Sequence, residues 1–103
     1  MISSAIARLL PIIREYFKSQ PVKKAWLFGS CSKNEETPDS DIDILVDYDN
    51  STGAVSLFKM GGMLMDLTNI TGRRVDLVEV SGVMDFARNS IDKDKILIYE
   101  RGN

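Results

Sequence analysis

The chain has 103 residues, enough for one ordinary domain and too few for two cores. Its 44% hydrophobic and 27% charged residues fit a globular protein, and with no histidine and one cysteine it excludes Ser-His-Asp and Cys-His catalysis, histidine or four-cysteine metal sites and an internal disulfide. The net charge of −2 hides a block structure: residues 1–33 carry +5, residues 34–58 carry −7 without a single Lys or Arg, and residues 59–103 balance.

Ser3 or Ser4 caps a first helix in which Ile6, Leu9, Leu10, Ile13 and Phe17 recur at helical spacing. Pro11 falls inside it and predicts a kink or a second helical start at Leu10-Pro11. After the break at Ser19-Gln20-Pro21, residues 22–28 (VKKAWLF) read as a strand that becomes wholly apolar at its end. Gly29-Ser30 follows at once, and residues 31–36 have room for one or two helical turns before Thr37-Pro38-Asp39-Ser40 imposes a loop. The second strand, residues 41–48, alternates: Ile42, Ile44 and Val46 share one face, while Asp41, Asp43, Leu45 and Asp47 share the other. A turn at 49–53 leads to a second helix, marked by Val55, Phe58, Met63, Leu64, Leu67 and Ile70, weakened by Gly61-Gly62 and ending near Gly72. Residues 74–80 form a third strand, Ser81-Gly82 a turn, Val83 to about Asp92 a third helix and 96–99 a last short strand. That order predicts the α/β (α+β) class: one domain over 1–103, built as a small mixed sheet of about four strands covered by helices. No apolar run approaches the roughly 18 residues of a membrane span and the amino terminus lacks a leader pattern, so a cytoplasmic location and no membrane partner are expected.

Chemistry here must come from oxygen ligands, and the acidic block supplies them. Asp41 and Asp43, at i and i+2 of a strand, share a face with side chains about 7 Å apart. A hard ion such as Mg²⁺ commonly takes one or two such carboxylates plus substrate phosphates. A bare D-x-D is also what a solvated edge strand carries. Its company distinguishes it: an apolar strand end runs into Gly29-Ser30 and a helical turn, where glycine permits close approach, backbone N–H groups and the serine hydroxyl can meet phosphate, and Lys33 adds positive charge. Asp76, inside the apolar run Val75-Asp76-Leu77-Val78, is the candidate third carboxylate for a two-ion site, in which metals about 3.5–4 Å apart clamp the attacking and leaving oxygens. A salt bridge from Asp76 to Arg73 or Arg74 is the structural alternative.

Leu27-Phe28-Gly29-Ser30, ten residues, Asp41-Ile42-Asp43-Ile44-Leu45-Val46 and then Gly72-Arg73-Arg74-Val75-Asp76-Leu77-Val78 together resemble the minimal nucleotidyltransferases (MNT proteins) of the DNA polymerase β superfamily, over about residues 22–100. The resemblance implies a nucleotidyltransferase (polymerase β palm-like) fold. It implies that Gly29 and Ser30 hold the triphosphate of ATP, that Asp41 and Asp43 bind two Mg²⁺ ions, and that Asp76 assists the attacking hydroxyl. The family's usual Arg-Ala-Arg-Gly after Gly-Ser is here Cys31-Ser32-Lys33-Asn34, in which Lys33 keeps one charge and Asn34 can take a left-handed conformation. The implied reaction moves a nucleoside monophosphate, AMP in the first place, onto a hydroxyl, with release of pyrophosphate. Family members that modify antibiotics or extend nucleic acid carry further domains, so an acceptor on another chain is expected. Similar proteins are commonly encoded beside HEPN-type toxins and act as their antitoxins, adenylylating a tyrosine. The rival expectation is a catalytically silent MNT-fold module that neutralises its partner by contact.

The remaining motifs carry less. Residues 47–53 resemble a calcium loop, but Thr52 and Phe58 stand where an EF-hand needs glycine and glutamate. Met60, Met63 and Met65 read as core or interface packing and, where exposed, as a partner surface. Cys31 is either a small buried thiol or one activated beside the phosphate cradle. The basic first third lacks an aromatic-interleaved arginine cluster, so direct nucleic-acid binding is not expected, while a homo-oligomer is left open.

Overall fold

A computed structural model of the chain describes residues 2–33, 37, 40–82 and 85–102, with the backbone alone at 85–87 and 90. The elements are α1 (Ser4–Phe17), β1 (Val22–Phe28), β2 (Ile42–Tyr48), α2 (Leu57–Thr71), β3 (Val75–Glu79), α3 (Asp85–Asp94) and β4 (Ile96–Glu100), with single 3₁₀ turns at Gly29–Cys31 and Val80–Gly82. The expected α/β class and four-stranded mixed sheet are present. Strand order is β3-β2-β1-β4, with β1 antiparallel to both β2 and β4, and β2 parallel to β3 across the α2 crossover.

Ser3 caps α1, its Oγ accepting the N–H of Ile6 at 3.2 Å. Of the two outcomes expected at Leu10-Pro11, a kink or a second helical start, the second does not occur: α1 runs through Pro11 as one helix. The missing N–H would have served the carbonyl of Ala7, and both residues lie on the exposed side, where water can take its place. The buried side of α1 (Ile6, Leu10, Ile13, Phe17) packs with Ala25 and Leu27 of β1 and Ile42, Ile44 and Val46 of β2. In α2 the apolar spacing located the helix and most of its buried side: Met63 and Leu67 are buried and Val55 and Leu64 pack against the core, while Phe58 and Ile70 of the expected set are exposed. Ser56 caps the helix, and Gly72 ends it in the left-handed region at φ 69°. Met60 also packs against the core, whereas Phe58 is 94% and Met65 68% exposed.

Residues paired across a sheet share a face. The pairs Phe28–Asp43, Trp26–Leu45 and Asp43–Asp76 therefore define a second face, opposite the α1–α2 core. α3 lies over part of it, its Ile91 side facing Trp26 and Leu45. Among the described residues no helix is long and apolar enough to cross a membrane. The left-handed conformation expected at Asn34, the loop expected at Pro38-Asp39 and the helix start expected at Val83 lie outside the described residues.

Candidate active site

The site assembles at the end of the sheet where β1 stops and β2 and β3 begin. β1 leaves Phe28 in extended conformation and turns at Gly29, whose φ is +69°. A Cβ at Gly29 would lie 2.5 Å from Oδ2 of Asp43, so any other residue here is strained by the backbone angle and must displace the carboxylate packed against it. The turn is then closed by Ser32, whose N–H and Oγ–H both donate to the Gly29 carbonyl at 3.2 and 2.8 Å, and by the Lys33 N–H donating to the Ser30 carbonyl. Ser30 is half-buried beside it.

Cys31 is fully buried, its thiol donating to the Asp41 carbonyl at 3.5 Å. The thiol thus packs beneath the first acid of the D-x-D. Asp41 itself is exposed, with Arg74 4.0 Å from its carboxylate. Asp43 is half-buried, and in the parallel pairing of β2 with β3 its direct partner is Asp76. Burial first, then the neighbouring charges of Asp76 and Asp41, raise the Asp43 carboxyl above the ordinary carboxylate value. Asp41, Asp43 and Asp76 therefore occupy one corner of the sheet, beside the Gly29-Ser30 turn.

The structural alternative for Asp76 is not what the arginines do. Arg74 goes to Asp41, and Arg73 donates from Nη2 to the carbonyls of Ser40 and Thr37 at 2.7 and 3.1 Å. Arg73 thereby holds the residues leading into the D-x-D. Nothing in its spacing announced that role; only the paired arginines after Gly72 hinted that β3's entry carries unusual charge. Lys33 also lies differently from a simple phosphate donor: its ammonium is 3.7 Å from Asp94 at the end of α3, which ties the turn to that helix.

The donor set has the chemistry of a hard divalent cation: carboxylate oxygens from adjacent register positions, with like-charge repulsion at Asp43 that a cation relieves. Among the described residues, no three ligand groups are already gathered around one point. By donor type alone Asp41, Asp43 and Asp76 suit a hard cation such as Mg²⁺.

The polymerase β nucleotidyltransferase family model matches residues 12–103. Several proteins of Methanocaldococcus jannaschii, provisionally named protein adenylyltransferases, are similar to the chain. One is 35% identical over 86 residues, covering 82% of this chain and 85% of its own, and a second is 35% identical over 88 residues, covering 84% of each. Among solved structures, a provisionally described minimal nucleotidyltransferase superposes with a TM-score of 0.77 at 22% identity, covering 93% of this chain and 95% of that one. A toxin–antitoxin structure with AMP-PNP superposes at 0.66 and 20% identity, covering 94% and 72%. The Shewanella oneidensis structure described as a tri-AMPylated HEPN toxin in complex with MNT antitoxin superposes at 0.61 and 16% identity, covering 94% and 71%.

Proposed function

The chain belongs to the polymerase β nucleotidyltransferase family, and from that premise we propose that it transfers AMP from ATP to a hydroxyl of a partner protein, as the antitoxin of a HEPN-type toxin. The observation that carries the reading is the packing of Gly29 against the Asp43 carboxylate with Asp76 in register beside it, which sets a turn suited to phosphate against paired acids. The relatives' names supply the direction: adenylyl transfer to protein in the M. jannaschii group, and an AMPylated HEPN toxin beside an MNT antitoxin in a structural neighbour.

In this reading Gly29 and Ser30 receive the triphosphate on the turn, where no side chain at 29 obstructs it. Asp41, Asp43 and Asp76 would hold Mg²⁺, which when bound supplies charge neutralisation for the triphosphate. The acceptor hydroxyl attacks the α-phosphorus, Asp76 takes the hydroxyl proton, the bond to the β-phosphate oxygen breaks, and pyrophosphate leaves. Little covalent work falls to the protein, because positioning and electrostatics carry such a transfer, and this suits a chain without histidine. Arg73 acts at one remove, keeping the entry to β2 in place through the carbonyls of Thr37 and Ser40.

Calorimetric titration with AMP-PNP tests the reading. Binding that needs Mg²⁺ and disappears in the Asp41→Asn/Asp43→Asn variant is the expected result; no binding at millimolar analogue contradicts it. One observation favours the contact-only alternative: Lys33, the charge nearest the turn, is engaged with Asp94. On that alternative the double variant still neutralises its partner.

A further inference from the structure

Trp26, the chain's only tryptophan, is half-buried on the same face of the sheet as Asp43. It pairs with Leu45, two residues along β2 from Asp43, which places it about 7 Å from the acid corner. Trp26 and Leu45 form the floor of a cavity of about 160 Å³, walled by Val80 and by Arg88, Ile91 and Asp92 of α3, with Lys95 at its edge. A flat apolar floor with a few polar groups on the walls is the make-up of a small-ligand subsite. The volume is too small for a nucleotide and of the order of one planar ring system.

Two contacts add to this. The Lys95 ammonium sits 4.7 Å from the Trp26 ring centroid and 3.0 Å from an Asp92 oxygen, so a cation already occupies a ring face on which an aromatic group could stack. The Lys33–Asp94 ion pair ties the residues after the Gly29-Ser30 turn to the end of α3, the helix that walls the cavity. A nucleotide with its α-phosphate at Asp43 would reach this cavity through its ribose.

We propose that the cavity between Trp26 and α3 takes the base of the bound nucleotide, stacked on the Trp26 ring in place of the Lys95 ammonium, with Asp92 accepting from an exocyclic amino group. The inference rests on the nucleotide-binding reading above and adds the residues that select the base. Adenine, with its large stacking surface and amino group, suits the site; uracil, which lacks the amino group, does not.

The test uses Trp26 as its own reporter. The full chain with Mg²⁺ is titrated with AMP-PNP, with a UTP analogue and with inorganic tripolyphosphate, recording tryptophan fluorescence and heat. The expected result is a fluorescence change with AMP-PNP and none with tripolyphosphate, and weaker binding of the UTP analogue. Trp26→Ala should weaken AMP-PNP about tenfold, in line with base–aromatic stacking, and leave tripolyphosphate unchanged, while Trp26→Phe stays near wild type. AMP-PNP heat with unaltered Trp26 fluorescence, or equal affinity in Trp26→Ala, overturns the base site and leaves the nucleotide reading standing. Absence of any AMP-PNP heat overturns both. The wild-type fluorescence decides even where Trp26→Ala fails to fold.

Discussion

Ile44 and Asp43 are chain neighbours in β2 and have opposite tasks. Ile44 is fully buried in the cluster that joins α1 and α2 to the sheet, whereas Asp43 is half-buried on the other face, its carboxyl raised by burial and by Asp76 and Asp41. One face of the strand gains free energy by excluding water. The other holds carboxylates at a cost, which a fold serving only its own stability would avoid. In the proposed function the α1–α2 side carries stability and the side bearing Gly29, Asp43 and Asp76 carries the chemistry.

That division can be broken at either side. Ile44→Ala removes a fully buried side chain and should cost about 2–5 kcal/mol, a large part of a small domain's stability, with nucleotide affinity of the folded fraction unchanged; urea denaturation and calorimetry read the two quantities. Asp43→Asn should do the reverse, lowering adenylyl transfer by about 10²–10³-fold, the scale of losing one preorganised electrostatic group, while the urea midpoint holds or rises. Gly29→Ala joins the two faces, because the left-handed φ alone costs about 1–2 kcal/mol and the new Cβ displaces Asp43. Its expected signature is a modest loss of stability together with loss of AMP-PNP binding.

The smallest effect concerns pH. A carboxyl whose value is raised on folding holds its proton more tightly in the folded than in the unfolded chain. Asp43 therefore favours folding at low pH, and that contribution fades as pH rises from the ordinary carboxylate value through the raised one. Asp43→Asn should flatten this part of the stability profile, and denaturation at stepped pH between wild type and variant would show an unchanged slope if burial and the charges of Asp76 and Asp41 do not raise the carboxyl.

Local pattern made much of this legible. The alternation of β2 is written in its period of two, and the helix of residues 57–71 is bracketed by Ser56 and Gly72. Gly29-Ser30 at a strand end and D-x-D on the next strand were visible as motifs, and Cys31 as a small buried thiol. What stayed hidden depends on packing. The register that sets Asp43 against Asp76 is a property of two strands joined through a whole helix, and the hold of Arg73 on Thr37 and Ser40 spans more than 30 residues. Pro11 does not divide α1, because the cost of a proline depends on whether the orphaned carbonyl meets water. Phe58 lies nine residues before Leu67, on the opposite side of α2, which the core does not reach.

The central claim is that the acid corner moves an adenylyl group, and ATP labelled at one phosphate or another tests it most directly. Incubated with Mg²⁺, this protein and a HEPN-type partner, ATP labelled at the α-phosphate should leave its label on the partner, ATP labelled at the γ-phosphate should not, and Asp43→Asn should slow the transfer by about 10²–10³-fold. Label arriving from the γ-position, or transfer undiminished in Asp43→Asn, would contradict the account.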